Sequence, residues 1–152
     1  MPTTISRPVW VELAGPEHAD GFEQIYEGFL LHYGRPREVV SGARGSLLGG
    51  DERYAQGLAR VAELDDPEAI AVLAELIGLA SRGRAERGLE ADDFALWAAT
   101  ARFLCDRSGR DVYRIALLAL RDEGDGAPLE ALVADLDLAR ERAAHRTLAG
   151  SR

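Results

Sequence analysis

Three features of the sequence predict an all-α fold, a single-domain bundle of five to seven helices. Apolar residues recur at helical spacing in six separate segments. Leu and Ala dominate the apolar set while Phe, Trp and Tyr together supply only 7% of residues, a balance that favours helix over sheet. The alternation expected of a strand is confined to VWVEL at residues 9–13. At 152 residues and 47% hydrophobic content, one core suffices.

The expected helical domain covers residues 16–148, preceded by an extended arm at 1–15 and followed by a short tail at 149–152. Pro16 and Glu17 open the first helix, in which Phe22, Ile25, Tyr26, Phe29, Leu30 and Tyr33 share one face. Gly34 and Pro36 stop it, the glycine as a left-handed cap and the proline as a residue that cannot continue a helix. Residues 38–50, EVVSGARGSLLGG, hold four glycines and read as a flexible connection with a short turn at Ser46 to Leu48. A second helix is expected from Asp51 to Leu64, burying Tyr54, Ala55, Leu58, Val61 and Ala62.

Asp66 caps the third helix, Pro67 suits its first position and Glu68 complements its dipole. That helix runs to Arg87 and ends at Gly88. It carries two apolar stripes, Ile70, Leu73, Ile77 and Ala80 on one side and Val72, Leu76 and Leu79 on the other. A helix apolar on most sides is either central or shared with a partner, so Val72, Leu76 and Leu79 form the candidate interface. A fourth helix from Ala91 to Arg107 groups Phe94, Trp97, Ala101 and Leu104. The fifth, Arg110 to Arg121, carries Val112, Tyr113, Ala116, Leu117 and Leu120. After the turn in DEGDGAP, a sixth from Pro128 to Leu148 turns Leu129, Leu132, Val133, Leu136 and Ala143 inward.

Composition excludes several chemistries. All 18 basic residues are Arg, so a Schiff base, a P-loop lysine and a lysine general base are ruled out. A net charge of −8 with no long basic run argues against sequence-independent nucleic-acid binding, which depends on neutralising phosphates. Cys105, the single cysteine, excludes an intrachain disulfide and a Cys-based zinc site and is expected as a small buried hydrophobe. No apolar run reaches the length of about eighteen residues that a membrane span needs. The start MPTTISRPVWVEL lacks the charged beginning and apolar middle of a signal peptide. A soluble cytoplasmic protein without membrane insertion is therefore expected.

The motifs divide between helix ends and candidate contacts. Asp65-Asp66 and Asp92-Asp93 suggest magnesium, yet each pair stands where a helix begins and is expected to cap it. The three histidines, His18, His32 and His145, share no HxxxH or HExxH spacing. GARGSLLGG matches neither a Walker loop nor a dinucleotide fingerprint, and no GxSxG is present. In GFLLHYGRPR, residues 28–37, the helix stop accounts for Gly34 and Pro36, and His32 is expected at the edge of the core. Arg35 and Arg37 lie near the last carbonyls, where a cation is favoured. Arg82 and Arg84 belong to a similar basic helix end, SRGRAERG. These five, His32, Arg35, Arg37, Arg82 and Arg84, are the candidate contacts to a partner or an anion.

Residues 50–86, GDERYAQGLARVAELDDPEAIAVLAELIGLASRGRAE, resemble the helix pair that follows the first aspartate-rich helix of trans-polyprenyl diphosphate synthases. The likeness rests on Gly50, Asp51, Ala55, Leu58 and helix spacing, over about a quarter of the chain. The family's catalytic members carry DDxxD motifs and lysines for diphosphates; here the corresponding runs are DDPEA and DDFAL, and lysine is absent. The chain is more similar to the short non-catalytic subunits of two-component heptaprenyl and hexaprenyl diphosphate synthases. That resemblance implies an all-helical accessory subunit that pairs with a catalytic chain.

The expectation is thus a non-catalytic accessory or regulatory subunit acting through helix–helix contact with a helical protein or a second copy of itself, with no catalytic residue, metal or cofactor. Two alternatives are a small enzyme whose Asp51, Asp65 and Asp92 converge on a metal, and a ligand-binding bundle with a pocket lined by Tyr26, Tyr33, Tyr54 and Trp97.

Overall fold

The computed structural model describes residues 7–38, 42–88 and 92–150, apart from the side chains of residues 42–44 and 46. Among the described residues there are seven helices and no strand: α1 Val11–Tyr33, α2 Gly42–Ala62, α3 Pro67–Arg87, α4 Phe94–Cys105, α5 Arg110–Glu123, α6 Ala127–Val133 and α7 Ala139–Ala149. The all-α single domain expected from the pattern is the fold observed. The expected start of the fourth helix at Ala91 and the ends of both terminal segments lie outside the described residues.

The arm expected to be extended instead makes a helical turn at 11–14. It joins the main body of α1 across a kink at Gly15 (φ 81°, ψ 166°), immediately before Pro16. Tertiary contact overrides the alternation of VWVEL. The Glu23 carboxylate accepts from the backbone N–H groups of Val9 (2.7 Å) and Trp10 (2.5 Å). The Trp10 ring is wholly buried beside Phe22, Tyr26 and Phe94.

α1 and α2 form an antiparallel hairpin, and its close approach explains why α2 begins at Gly42 rather than Asp51. A Cβ on Gly21 would stand 2.6 Å from Val61 Cγ2, and one on Gly57 would stand 2.7 Å from the Gly21 carbonyl. Gly28 and Gly50 meet in the same way one heptad along, at 2.8 Å from the Gly28 Cβ position to the Gly50 carbonyl. The glycine-rich segment from Gly42 onward is therefore helix, not connection; residues 39–41 of the expected connection lie outside the described residues. Gly50, Gly57 and Val61 are buried with Tyr54 and Leu58 half-buried, whereas Ala55 and Ala62 face outward, contrary to expectation.

α3 has the expected start. Asp66 accepts from the Ala69 N–H at 3.1 Å and Pro67 occupies the first turn. Val72, Leu76 and Leu79, the candidate interface, are buried within this chain together with Leu73 and Ala80. α3 packs on α4, α2 and α1, so the Val72, Leu76 and Leu79 stripe is covered internally, while Ile70 and Ile77 of the other stripe are half-buried. The most central helix is α4, in which every residue from Phe94 to Ala101 is buried, with Phe103 and Leu104. Cys105 at its end is exposed rather than buried, its Sγ lying 2.9 Å from where a Cβ on Gly15 would stand.

The single sixth helix expected over 128–148 is two, α6 and α7, and Arg102 of α4 supplies the reason. Its guanidinium donates to the Leu132 carbonyl (2.5 Å), the acceptor that Leu136 would use in a continuing helix, and to Asp135 (2.9 Å). The Leu136 N–H turns to Val133 O instead, and the chain re-enters helix at Ala139. The break turns Ala143 outward. Gly34 does not adopt the left-handed conformation expected of a cap (φ −131°); a side chain there would collide with Leu148 O at 2.5 Å, where α7 ends against α1.

The hairpin yields a direct test. Gly57→Ala should destabilise the protein by about 1–3 kcal/mol, because its Cβ meets a backbone carbonyl that cannot give way. Gly78→Ala, at a helical site with nothing within 4 Å, should stabilise it by about 0.5–1 kcal/mol. Urea midpoints of the two variants, moving in opposite directions, would bear this out.

Candidate functional site

The most concentrated chemistry lies inside the bundle. Arg84 from α3 donates through Nε to Asp93 Oδ2 (3.0 Å), through Nη2 to Asp93 Oδ1 (3.1 Å) and through Nη1 to the Ala149 carbonyl (2.8 Å) at the end of α7. His145 Nε2 stands 2.7 Å from Asp93 Oδ1, and its Nδ1 stands 2.9 Å from the Tyr26 hydroxyl. A neutral imidazole satisfies both contacts, with Nε2–H donating to the carboxylate and Nδ1 accepting from the phenol. Burial pushes the Asp93 carboxyl upward, but the hydrogen bonds from His145 and Arg84 outweigh it and leave the group below its ordinary value. Burial also raises the Tyr26 phenol well above its usual range.

Order alone would allow a proton relay, Tyr26 to His145 to Asp93. Access argues otherwise. Tyr26 is fully buried, His145 and Asp93 nearly so, and Trp10, Phe29, Phe94 and Trp97 surround the phenol and imidazole. A reacting group must be reached by substrate, and this phenol is not. The arrangement is a charged lock that joins α1, α3, α7 and the start of α4. Asp93 is therefore no cap: its side chain makes no capping bond to α4 and belongs to the lock.

The candidate contact residues divide accordingly. Arg84 is not a solvated helix end but the cation of this lock, its guanidinium also lying over the Phe29 ring at 5.2 Å. Arg37 likewise faces inward, donating to Glu23 (2.6 Å) and Glu27 (2.7 Å), and so fastens the turn after α1 back onto α1. His32 sits at the core edge as expected, 3.0 Å from Asp51 and stacked on Tyr54. Arg35 is exposed and its backbone N–H donates to Leu148 O (2.7 Å). Arg82 is exposed and donates to the Leu120 (3.1 Å) and Arg121 (2.8 Å) carbonyls near the end of α5. The five do not gather into one site.

A second charged group ties α1, α3, α5 and the α4–α5 turn. Arg107 donates to Asp66 (2.6 Å) and Glu68 (2.8 Å), Arg110 to Glu68 (2.8 Å), and His18 stands 3.1 Å from Asp66. The Arg107 guanidinium lowers Asp66 to about 2, and the Arg110 guanidinium, aided by Arg107, lowers Glu68 to about 2.

Neither alternative constellation assembles. Asp51 pairs with His32, Asp65 lies in the turn after α2 with φ 53°, and Asp92 accepts from the Phe94 N–H at 3.4 Å. No group of three or more His, Cys, Asp or Glu side chains among the described residues is placed to hold a metal ion. Tyr26 and Trp97 are core residues with ring centroids 5.0 Å apart, while Tyr33 and Tyr54 are half-buried at the α1–α2 edge. They pack as hydrophobic core, not as pocket walls.

The surface carries one feature that the sequence reading missed. α5 buries only Tyr113, Ala116 and Leu117, and it exposes Val112 (56%), Ile115 (65%) and Leu118 (44%). The helical spacing predicts Val112 inward, yet it is exposed, because the inward stripe of Tyr113, Ala116 and Leu117 alone meets the core. The i, i+3, i+6 spacing of Val112, Ile115 and Leu118 was the available signal. Beside this face, α4, α5 and α6 enclose a groove of about 330 Å³ walled by Phe103, Val112, Tyr113, Ala131 and Leu132. Among the described residues, no helix is long and apolar enough to cross a membrane.

Two outcomes follow from the charged groups. Arg84→Met should cost about 3–5 kcal/mol by stranding Asp93 in the core, read as a fall in the urea midpoint. Asp66 and Glu68 bind their protons more weakly in the folded state, so their stabilisation is present above about pH 4.5 and lost as the pH falls towards about 2. The urea midpoint should drop across that window, and Arg107→Met should flatten the drop.

Comparison of the sequence with protein-family models and curated proteins, and of the fold with solved structures, returns no match.

Proposed function

We propose that this chain is a non-catalytic helical accessory subunit that acts through helix–helix contact, with the outer face of α5 as its contact surface. The observation that carries this reading is the exposure of Val112, Ile115 and Leu118 on a helix whose opposite face is already packed. Helices apolar on two faces are covered on both in a folded assembly. Within this chain α3 buries Val72, Leu73, Leu76 and Leu79, whereas α5 leaves Val112, Ile115 and Leu118 exposed. A contiguous exposed apolar patch is a mark of a protein-binding surface, and these three side chains adjoin a groove lined by Phe103, Tyr113 and Leu132 together with Arg102, Asp106 and Asp135.

The burial of the phenol and imidazole supports a role without chemistry at the lock. The resemblance of residues 50–86 to trans-polyprenyl diphosphate synthases, and of the chain to the short non-catalytic subunits of two-component ones, suggests a class of partner, a helical catalytic chain. Gly50 lies inside α2 against α1, so that stretch contributes to the hairpin rather than to the contact surface.

Site-specific photo-crosslinking in the source cell tests the proposal. A photoreactive amino acid placed at Ile115 or Leu118 should trap a protein partner, whereas one at Glu52, exposed on α2, should not. Ile115→Glu with Leu118→Glu should retain the helical circular dichroism, since exposed substitutions change stability by about 0.5 kcal/mol or less, and should lose the partner. Equal trapping from Ile115 and Glu52, or none from either α5 site, would sink the proposal.

A further inference from the structure

We propose that α7 is a hinged latch: it swings off the bundle as one unit while α1 to α6 stay folded, and so uncovers the aromatic cleft that it closes. α7 turns only Glu141, His145, Leu148 and Ala149 inward, so apolar burial holds it weakly, in contrast to α4, where every residue from Phe94 to Ala101 is buried. Its attachments are mostly polar. His145 contacts Asp93 and Tyr26. The Leu148 and Ala149 carbonyls, which a helix end leaves without intrahelical partners, accept from the Arg35 N–H and from Arg84 Nη1. Arg142 donates to Glu130 of α6 (3.3 Å) and covers the Phe94 ring at 4.2 Å.

Polar contacts of this kind are exchanged for contacts with water when the helix leaves, so little of their strength opposes opening. No ion is stranded either. The Arg84–Asp93 pair joins α3 to the start of α4 without using α7, so it stays made and gains solvent, while the departing imidazole is neutral.

The connection supplies the pivot. Arg102 clamps the Leu132 carbonyl and Asp135 to α4, and residues 136–138 then run without helix into Ala139. α7 can therefore turn about these residues without disturbing α6. What it covers completes the device. The His145 ring lies 5.8–6.3 Å, centroid to centroid, from the rings of Trp10, Tyr26, Phe29 and Phe94. Departure of α7 opens these rings and the Tyr26 phenol to solvent beside Arg84 and Asp93, so the position of one helix sets access to the lock.

Native-state hydrogen exchange, followed residue by residue by NMR over a series of urea concentrations, tests the latch. The amides of residues 142–149 are expected to exchange through one shared opening. That opening exposes less surface than unfolding, so it should depend less on urea than exchange of the slowest amides of α1 and α4. Gly78→Ala on α3, at a site with nothing within 4 Å, stabilises the closed and open forms alike. It should slow the α1 and α4 amides about two- to fivefold and leave those of α7 unchanged. His145→Ala should speed residues 142–149 by one common factor of about tenfold or more. If the α7 amides slow in step with α1 and α4 in Gly78→Ala, the helix leaves only on global unfolding and the latch is overturned. Exchange graded from residue 149 inward, with residues 147–149 indifferent to His145→Ala, would overturn it equally, because that is the fraying of a helix end.

Discussion

Four helices of this protein meet at one buried ion pair. Arg84 and Asp93 place opposite charges where water cannot solvate them, so each depends on the other's position. His145 bonds the carboxylate through Nε2 and the Tyr26 hydroxyl through Nδ1, and the Ala149 carbonyl takes another donor of the guanidinium. Nonpolar packing tolerates small displacements, whereas a charge removed from water does not, since an unmatched ion in the core costs several kcal/mol. The pair therefore fixes how α3, α4, α7 and α1 are arranged around the aromatic residues, and those residues exclude the solvent that would weaken it.

The periphery is fastened by the same means at lower burial. Glu23 and Glu27 hold Arg37 and the backbone of residues 9 and 10, which bends the N-terminal turn onto the bundle and sets the turn after α1. Arg102 breaks the last helical stretch in two by taking the Leu132 carbonyl. A chain whose cations are all arginine is suited to this architecture, because the planar guanidinium presents several donors at fixed angles and so joins a carboxylate and a carbonyl at once. Four such residues, Arg37, Arg84, Arg102 and Arg107, each bridge segments distant in sequence.

These interactions also bear on function. The arginines with the most suggestive sequence settings, Arg37 and Arg84, are occupied in holding the fold, and the carboxylates that suggested a metal serve helix starts, turns and ion pairs. The outer face of α5 leaves Val112, Ile115 and Leu118 exposed beside a groove, as α2 leaves Leu47 and Leu48. The proposed accessory role rests on that exposed apolar surface of α5.

The sequence by itself determined the helices and most of their inward faces, because spacing at 3.6 residues is written locally: Phe22 to Tyr33, the Asp66–Pro67 start of α3 and the turn in DEGDGAP after α5 could each be read without a neighbour. It determined equally that lysine chemistry, disulfides and neighbouring-ligand zinc sites are absent. Only the tertiary structure decided that Gly50 lies inside a helix and Gly57 packs against Gly21, that Arg102 divides α6 from α7, that Val72, Leu76 and Leu79 are enclosed while Val112, Ile115 and Leu118 are not, and that the Asp93 side chain is a core carboxylate rather than a capping group. The reason is physical. A side chain's periodicity states which residues can share a face, but burial and charge pairing depend on segments as far apart as 84 and 149, and nothing in the local pattern records which of two apolar faces its neighbours will cover.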